Sequence, residues 1–192
     1  MITTPGAFLR VGAIIMAAVI LQLSGFGTMS FFGGHPDLVS LAVAAVAIYA
    51  GSVTGAATGF AAGFVLDLAV GATMGASSLV LTAVGYAVGR YREVRDPVHG
   101  LMPIPVGAAA TLGFLVAFAS VSFMLDVGAS VSPLVFRDML VTTLLNALLA
   151  IPVFALGRRV LRPALVVDPF ESRRRRRAPT DSGPLGLRGL EV

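Results

Sequence analysis

The sequence contains no cysteine, no tryptophan and no lysine, and it has few charged residues of either sign. The absence of cysteine excludes a disulfide framework, a thiol nucleophile and a cysteine-ligated metal site. Charged residues make up 12% of the 192 residues, whereas soluble domains carry about 25%. Hydrophobic residues make up 56%, and the mean hydropathy is +0.89. The composition therefore predicts an all-α integral membrane protein with little chain left for a second domain.

One stretch of regularly spaced glycines stands out, and it ends at Asp67. Glycine recurs every fourth residue, at Gly51, Gly55, Gly59 and Gly63, so a helix would place all four on one face. In water this helix would be weak, because each interior glycine costs about 1 kcal/mol relative to alanine. In a bilayer the same stripe lets a neighbouring backbone approach closely. The spacing therefore predicts a helix-packing face inside a membrane bundle.

Apolar runs separated by turn residues predict six helices. They are expected at residues 8–27, 37–50, 52–68, 76–89, 104–125 and 134–156. The second and third are short, since about 14 residues span only ~21 Å against a hydrocarbon core of about 30 Å. Either the turn at Gly51-Ser52 lies below the membrane surface or the bilayer is locally thin. The first run has no convincing cleavage site after it, so we interpret it as a retained helix.

The distribution of arginine predicts a six-helix transmembrane bundle over residues 1–162, with both termini in the cytoplasm. In this topology all 14 arginines except Arg137 fall on the cytoplasmic side, which agrees with the positive-inside rule. The same distribution explains the net charge of +4 without a nucleic-acid partner.

Residues 163–192 are expected to form a disordered, arginine-rich cytoplasmic tail. The tail contains a run of five basic residues, Arg173, Arg174, Arg175, Arg176 and Arg177. This run either binds anionic membrane lipid, binds an acidic cytoplasmic partner, or only anchors the topology.

Four ionisable residues fall near the outer face in this topology: Asp37, Asp67, Arg137 and Asp138. They either form an ion-paired cluster or, for all but Asp67, simply lie at the water interface. Asp67 lies within an apolar run, where a carboxylate is costly. We therefore predict an Asp67–Arg137 ion pair that joins the third helix to the sixth.

Two uncharged polar residues, Gln22 and Asn146, lie within apolar helices. They are expected either to line a polar cavity or to form hydrogen bonds between helices. His35 and His99 fall on opposite sides of the membrane and cannot share a metal ion. The sequence shows no nucleophile beside a base and no phosphate-binding loop after a strand. It therefore predicts neither an enzyme nor a metal or cofactor site.

Several of these features together resemble the family of the rod shape-determining protein MreD. The matching features are Gln22, Pro36-Asp37-Leu38, Gly51, Gly55, Gly59-Phe60, Gly63-Phe64, Leu66-Asp67-Leu68, Gly75 and Gly85-Tyr86. The motifs cover residues 21–90, and chain length and helix count extend the resemblance to about residue 162.

The resemblance implies a non-catalytic scaffold in the bacterial cytoplasmic membrane. Such proteins are expected to bind an MreC-like protein and to help couple MreB filaments to a RodA-type glycosyltransferase and a class B penicillin-binding protein. The glycine stripe and the region of Asp37 and Asp67 are then expected either to face a partner or to lock the bundle together.

The family is also similar in fold to the substrate-binding subunits of energy-coupling-factor vitamin transporters, so a transporter subunit is the alternative. The outer loops at 28–36 and 70–78 contain few aromatic or hydrogen-bonding residues. This favours the scaffold.

Overall fold

The computed structural model describes residues 5–26, 29–30, 32–71, 74–94, 102–125 and 133–161. Six α-helices account for most of these residues: α1 (Pro5–Leu21), α2 (Leu38–Ala50), α3 (Ser52–Val70), α4 (Ala76–Val94), α5 (Pro103–Met124) and α6 (Pro133–Leu161). α1 continues into a single π-helical turn, Gln22–Phe26. The structure confirms the all-helical class and the six predicted helices. The predicted tail, with its run Arg173–Arg177, lies outside the described residues.

Two helices, α4 and α6, extend well past their predicted ends. α4 continues five residues past Gly89 to Val94, and α6 continues five residues past Leu156 to Leu161. The sequence-based ends were placed at the first arginines, because charge marks the edge of an apolar span. Helical hydrogen bonds do not require apolar surroundings, and arginine near a helix C-terminus interacts favourably with the helix dipole. The segment from Arg90 to Val94, which lies between the predicted fourth and fifth helices and was therefore expected to be a loop, is helical.

Within the described residues, four helices are long and apolar enough to cross a membrane. Their candidate spans are Phe8–Gly25, Ser52–Val70, Pro103–Met124 and Pro133–Leu161. α2 is apolar but has only 13 residues, and the last turn of α4 contains charged residues. The six-span topology and the position of the termini stay predictions.

α2 forms the centre of the bundle. Every residue of this helix except Tyr49 is buried, and the helix contacts all five of the others. Its side chains are mostly alanine, valine and leucine, which contribute no buried polar atoms. α6, by contrast, exposes 70% of Leu144 and 72% of Leu148. Large apolar side chains thus lie on the outside of the bundle as well as inside it.

Close packing of glycine joins α3 to α4. A methyl group on Gly59 would overlap the carbonyl group of Leu81, so only glycine fits there. The contacts move towards the start of α4 as they move towards the end of α3, which makes the two helices antiparallel. The contacting pairs are Ser52 with Gly89, Gly55 with Gly85, Gly59 with Leu81, and Gly63 with Ser78.

Gly51 has a different role from the other glycines of the predicted stripe. It separates α2 from α3 and has a φ of +93°, a conformation that residues with a side chain rarely adopt. A Cβ atom at this position would lie 3.4 Å from Glu93 Oε1 and would contact no neighbouring helix backbone within that distance. The prediction that Gly51 belongs to the helical packing face is therefore wrong. It permits the turn instead.

Candidate functional site

Asn146, in the middle of α6, is fully buried and joins three helices. Its Oδ1 accepts the N–H of Asp37 at 3.0 Å, and its Nδ2 donates to the Asp37 carbonyl at 2.9 Å. Nδ2 also donates to the hydroxyl of Thr111 on α5, at 2.9 Å. Thr111 in turn lies 3.4 Å from the hydroxyl of Ser40 on α2. These bonds fix α6 against α5 and the start of α2.

Gln22 anchors the end of α1 to the same region. Its Nε2 donates to the Pro36 carbonyl at 3.1 Å, and its Oε1 accepts the N–H of Leu38 at 2.7 Å. Gln22 opens the π-helical turn, a rare conformation that often occurs at functional sites. The Gln22 amide therefore bonds to the backbone on both sides of Asp37, immediately before α2.

Asp67 lies at the end of α3 and caps the start of α4. Its carboxylate accepts the N–H groups of Gly75 at 2.9 Å, Ser77 at 3.3 Å and Ser78 at 3.4 Å. The first N–H groups of a helix have no partner within the helix, and they form the positive end of the helix dipole. Asp67 is only 2% exposed. The start of α4 and the link before it thus supply the hydrogen-bond donors for a buried carboxyl group.

The predicted ion pair between Asp67 and Arg137 is not formed. Arg137 Nη2 instead lies 3.3 Å from Asp138 Oδ1, and both side chains are substantially exposed. The prediction was wrong because the sequence does not specify the partners of Asp67, which are backbone amides of α4 and the link before it. An exposed ion pair of this kind contributes about 1 kcal/mol or less to stability.

Asp37 is the N-cap of α2, and one of its carboxylate oxygens has no partner. Oδ1 accepts the N–H of Ser40 at 3.2 Å. Oδ2 is buried and has no hydrogen-bond partner among the described residues. Burial of an unpaired carboxylate oxygen is costly. A buried oxygen without a partner calls for an explanation, such as a bound water, an ion or a functional contact.

A cavity of about 630 Å³ lies where α1 and α3 end and where α2, α4 and α6 begin. This volume falls within the range of small-molecule sites. Its polar lining consists of Gln22, His35, Asp37, Asp67, Ser77, Asp138 and Thr142. Much of its wall is apolar, with Leu66, Phe114, Leu115, Phe118, Val135 and Met139.

Among the residues singled out from the sequence, the cavity brings together Gln22, Asp37, Asp67 and Asp138. Asn146 does not line it but supports Asp37 through the backbone. Sequence analysis missed Thr111, whose hydroxyl is completely buried. Its position within the apolar run of the fifth helix was the only available signal.

The opposite end of α3 is held by Glu93, which sequence analysis had placed in a loop. Glu93 Oε1 accepts the N–H of Ser52 at 3.0 Å and its hydroxyl at 2.7 Å. Arg90 lies 3.1 Å from Glu93 Oε2. The bonds from Ser52, followed by that from Arg90, lower the pKa of Glu93 to about 2. Nearby, Arg92 donates to the Tyr49 carbonyl at 2.7 Å.

The apolar helices and the buried hydrogen bonds between them define an all-helical membrane protein. The model of the family described as rod shape-determining protein MreD matches residues 6–160, which is most of the chain. The chain belongs to the MreD family and so has a role in rod shape determination. Comparison with curated proteins finds no match, and comparison with solved structures finds none.

Proposed function

We propose that this protein is a non-catalytic scaffold of the cell-elongation complex in the bacterial cytoplasmic membrane. It spans the membrane six times, with both termini in the cytoplasm. It helps couple MreB filaments and an MreC-like protein to a RodA-type glycosyltransferase and a class B penicillin-binding protein for lateral peptidoglycan synthesis. Membership of the MreD family supports this role in its general form.

The observation that carries the proposal is a preformed cavity whose polar walls are fixed by the bundle itself. Gln22 and Asp67, which line it, are hydrogen-bonded to neighbouring helices or links, and Asn146 holds the backbone of Asp37 from outside the cavity. Because its side chains are already ordered, a site of this kind loses little conformational entropy when it binds. It is therefore suited to hold a partner in one defined geometry.

The charge distribution supports a cavity that faces outwards. Arg90 and Arg92 lie at the end of α4, and Arg158 and Arg159 lie at the end of α6. Both helix ends are opposite the cavity, and arginine is concentrated on the cytoplasmic side of membrane proteins. An MreC-like partner would accordingly reach the cavity from the outer face.

A second candidate, a substrate-binding subunit of a small-molecule transporter, is favoured by the size of the same cavity. Its volume falls within the range of drug-sized ligand sites. In this role the protein would associate with ATPase subunits and retain a small molecule.

Affinity capture of the tagged full-length protein from its native membrane, in mild detergent, tests both candidates. Proteins and retained small molecules are identified by mass spectrometry. Met139→Trp would fill the cavity, and Leu148→Trp on the exposed face of the same helix is the matched control. We expect an MreC-like protein and wall synthases with the wild type and with Leu148→Trp, and clearly less of them with Met139→Trp.

Other results would contradict either the scaffold function or the role of the cavity in binding the partner. Recovery of ATPase subunits or of a vitamin would identify a transporter subunit. Equal recovery of the MreC-like protein with both tryptophan variants would show that the partner binds elsewhere on the bundle.

A further inference from the structure

Asp37 is a buried carboxylate whose hydrogen bonding is incomplete. Asp37 is 8% exposed and lines the cavity. Its backbone N–H and carbonyl are both bonded to Asn146, and Oδ1 is bonded to Ser40. Only Oδ2 lacks a partner among the described residues. This unpaired oxygen belongs to a residue of the cavity wall and is the candidate contact for an occupant.

No described arginine neutralises the carboxylates inside the cavity. Arg137, near the mouth, is paired with Asp138. Asp67 is the second buried carboxylate of the cavity, and its two oxygens bind backbone N–H groups. The interior therefore presents two buried carboxyl groups within an apolar wall, with no described arginine paired to either of them. This combination favours an occupant with a cationic hydrogen-bond donor.

The rim of the cavity is apolar and exposed. Leu23 is 43% exposed, Val70 is 60% exposed and Val135 is 43% exposed. All three line the cavity at helix ends. An occupant that fits both the rim and the interior has apolar groups at the rim and one basic group deep in the cavity.

We propose that the cavity receives a single lysine or arginine side chain of the membrane partner, which donates a hydrogen bond to Asp37 Oδ2. This inference rests on the proposed scaffold function, because it names the chemistry by which the partner is recognised. The recognition segment has one basic residue flanked by apolar residues. The pairing also gives a partner to the buried Asp37 oxygen that has none among the described residues.

A protein side chain fits this site better than an aminolipid. A phosphatidylethanolamine headgroup carries its phosphate next to its ammonium group. Binding of that ammonium to Asp37 would bring the phosphate close to Asp67 and Asp138, where like charges repel. A lysine or arginine side chain brings the cation without an anion.

The first test is Asp37→Asn in the full-length protein, with capture of the MreC-like partner as the measurement. Asparagine keeps an oxygen for the Ser40 N–H and remains a good N-cap, but it replaces the free oxygen with an NH₂ donor. Removing one member of a buried charge pair leaves the other unpaired and weakens binding strongly, so we expect capture to weaken at least about tenfold. Glu93→Gln, the same change at the other end of the bundle, should stay within about twofold of wild type.

The second test places a photo-crosslinking phenylalanine derivative at Val135 and identifies the crosslinked peptide. We expect a peptide of the partner that contains lysine or arginine within an apolar stretch. Replacing that basic residue with leucine should weaken capture as much as Asp37→Asn does, and combining the two changes should add little. Because the leucine substitution is in the partner, its effect on capture does not depend on whether the Asp37→Asn protein folds correctly.

The outcomes separate this inference from the proposed function. Unchanged capture with a correctly folded Asp37→Asn protein, or a crosslinked peptide without a basic residue, overturns the cationic side chain but leaves the scaffold intact. A lipid adduct at Val135 also overturns it. Failure to recover any MreC-like protein with the wild type overturns both.

Discussion

Asn146 and Asp37, 109 residues apart in sequence, form a reciprocal pair of hydrogen bonds. The amide of Asn146 accepts the Asp37 N–H at 3.0 Å and donates to the Asp37 carbonyl at 2.9 Å. The side chain thus bonds with the backbone of Asp37 as a neighbouring strand would. This leaves the Asp37 carboxylate free to cap α2 and to line the cavity.

Asn146→Ala should destabilise the bundle by about 2–3 kcal/mol. The change removes three hydrogen bonds, each worth about 0.6 kcal/mol on average in membrane proteins, and it leaves buried backbone groups unpaired. The measurement is thermal unfolding of the detergent-solubilised protein. Thr143→Ala on the same helix is the control, because its hydroxyl bonds only to the Met139 carbonyl of α6 itself. Equal stability of the two variants would contradict the role assigned to Asn146.

Gly59→Ala should separate α3 from α4 and cost about 1–3 kcal/mol, which is typical of overpacking. The added methyl group would overlap the Leu81 carbonyl, and backbone cannot move aside as a flexible side chain can. Gly113→Ala on α5 is the matched control, since no heavy atom lies within 4 Å of the new methyl group. That control should be neutral or slightly stabilising, because alanine favours helix more than glycine does. Similar unfolding temperatures for both variants would mean that the glycine contact is unimportant.

Asp67→Asn should loosen the start of α4. One carboxylate oxygen becomes an NH₂ donor that faces backbone donors, either Gly75 and Ser78 or Ser77, depending on its orientation. We expect amide hydrogen exchange to become faster by tenfold or more at the start of α4, since a lost charge-assisted hydrogen bond is worth about 1.5–3 kcal/mol. Exchange in the middle of α5 provides the internal reference. Unchanged protection at Ser77 and Ser78 would show that Asp67 does not cap the helix.

Glu93, at the end of α4, binds Ser52 at the start of α3, and the stability that this contact contributes should depend on pH in the acidic range. The pKa of Glu93 is about 2 in the folded protein, against an ordinary value of 4.5. A lowered pKa means that the ionised group stabilises the fold fully above pH 4.5, and that this contribution is lost as the pH falls towards 2. Unfolding temperatures of wild type and Glu93→Gln should therefore differ most above pH 4.5 and converge near pH 2. A constant difference across this range would contradict the assignment.

Much of the helical layout could be predicted from the sequence, because apolar runs and turn residues act locally. The start of α3 was predicted at the observed residue, Ser52, and the start of α4 at Ala76. The ends of α4 and α6 were missed because they depend on helical hydrogen bonding beyond the apolar region. Gly51 was misassigned because a regular spacing does not reveal a positive φ.

The composition of the cavity could be predicted better than its bonding. Asp37, Asp67 and Asp138 line one cavity, and the topology had placed them at one level. The partners of Asp67 could not be predicted, since they are backbone groups positioned by the start of α4. The link between Asn146 and Thr111 depends on the rotation of α5 and α6 about their axes, which hydropathy does not determine.

The near-complete burial of α2 also bears on how sequences of this kind can diverge. A helix covered by five neighbours must fit all of them at once, so enlarging one of its alanines requires a matching reduction elsewhere. The exposed leucines of α6 face no such requirement and can be exchanged among apolar residues. Distant relatives should therefore retain small residues along α2 while the outer helices drift. Compensating pairs of changes should join α2 to each of its neighbours.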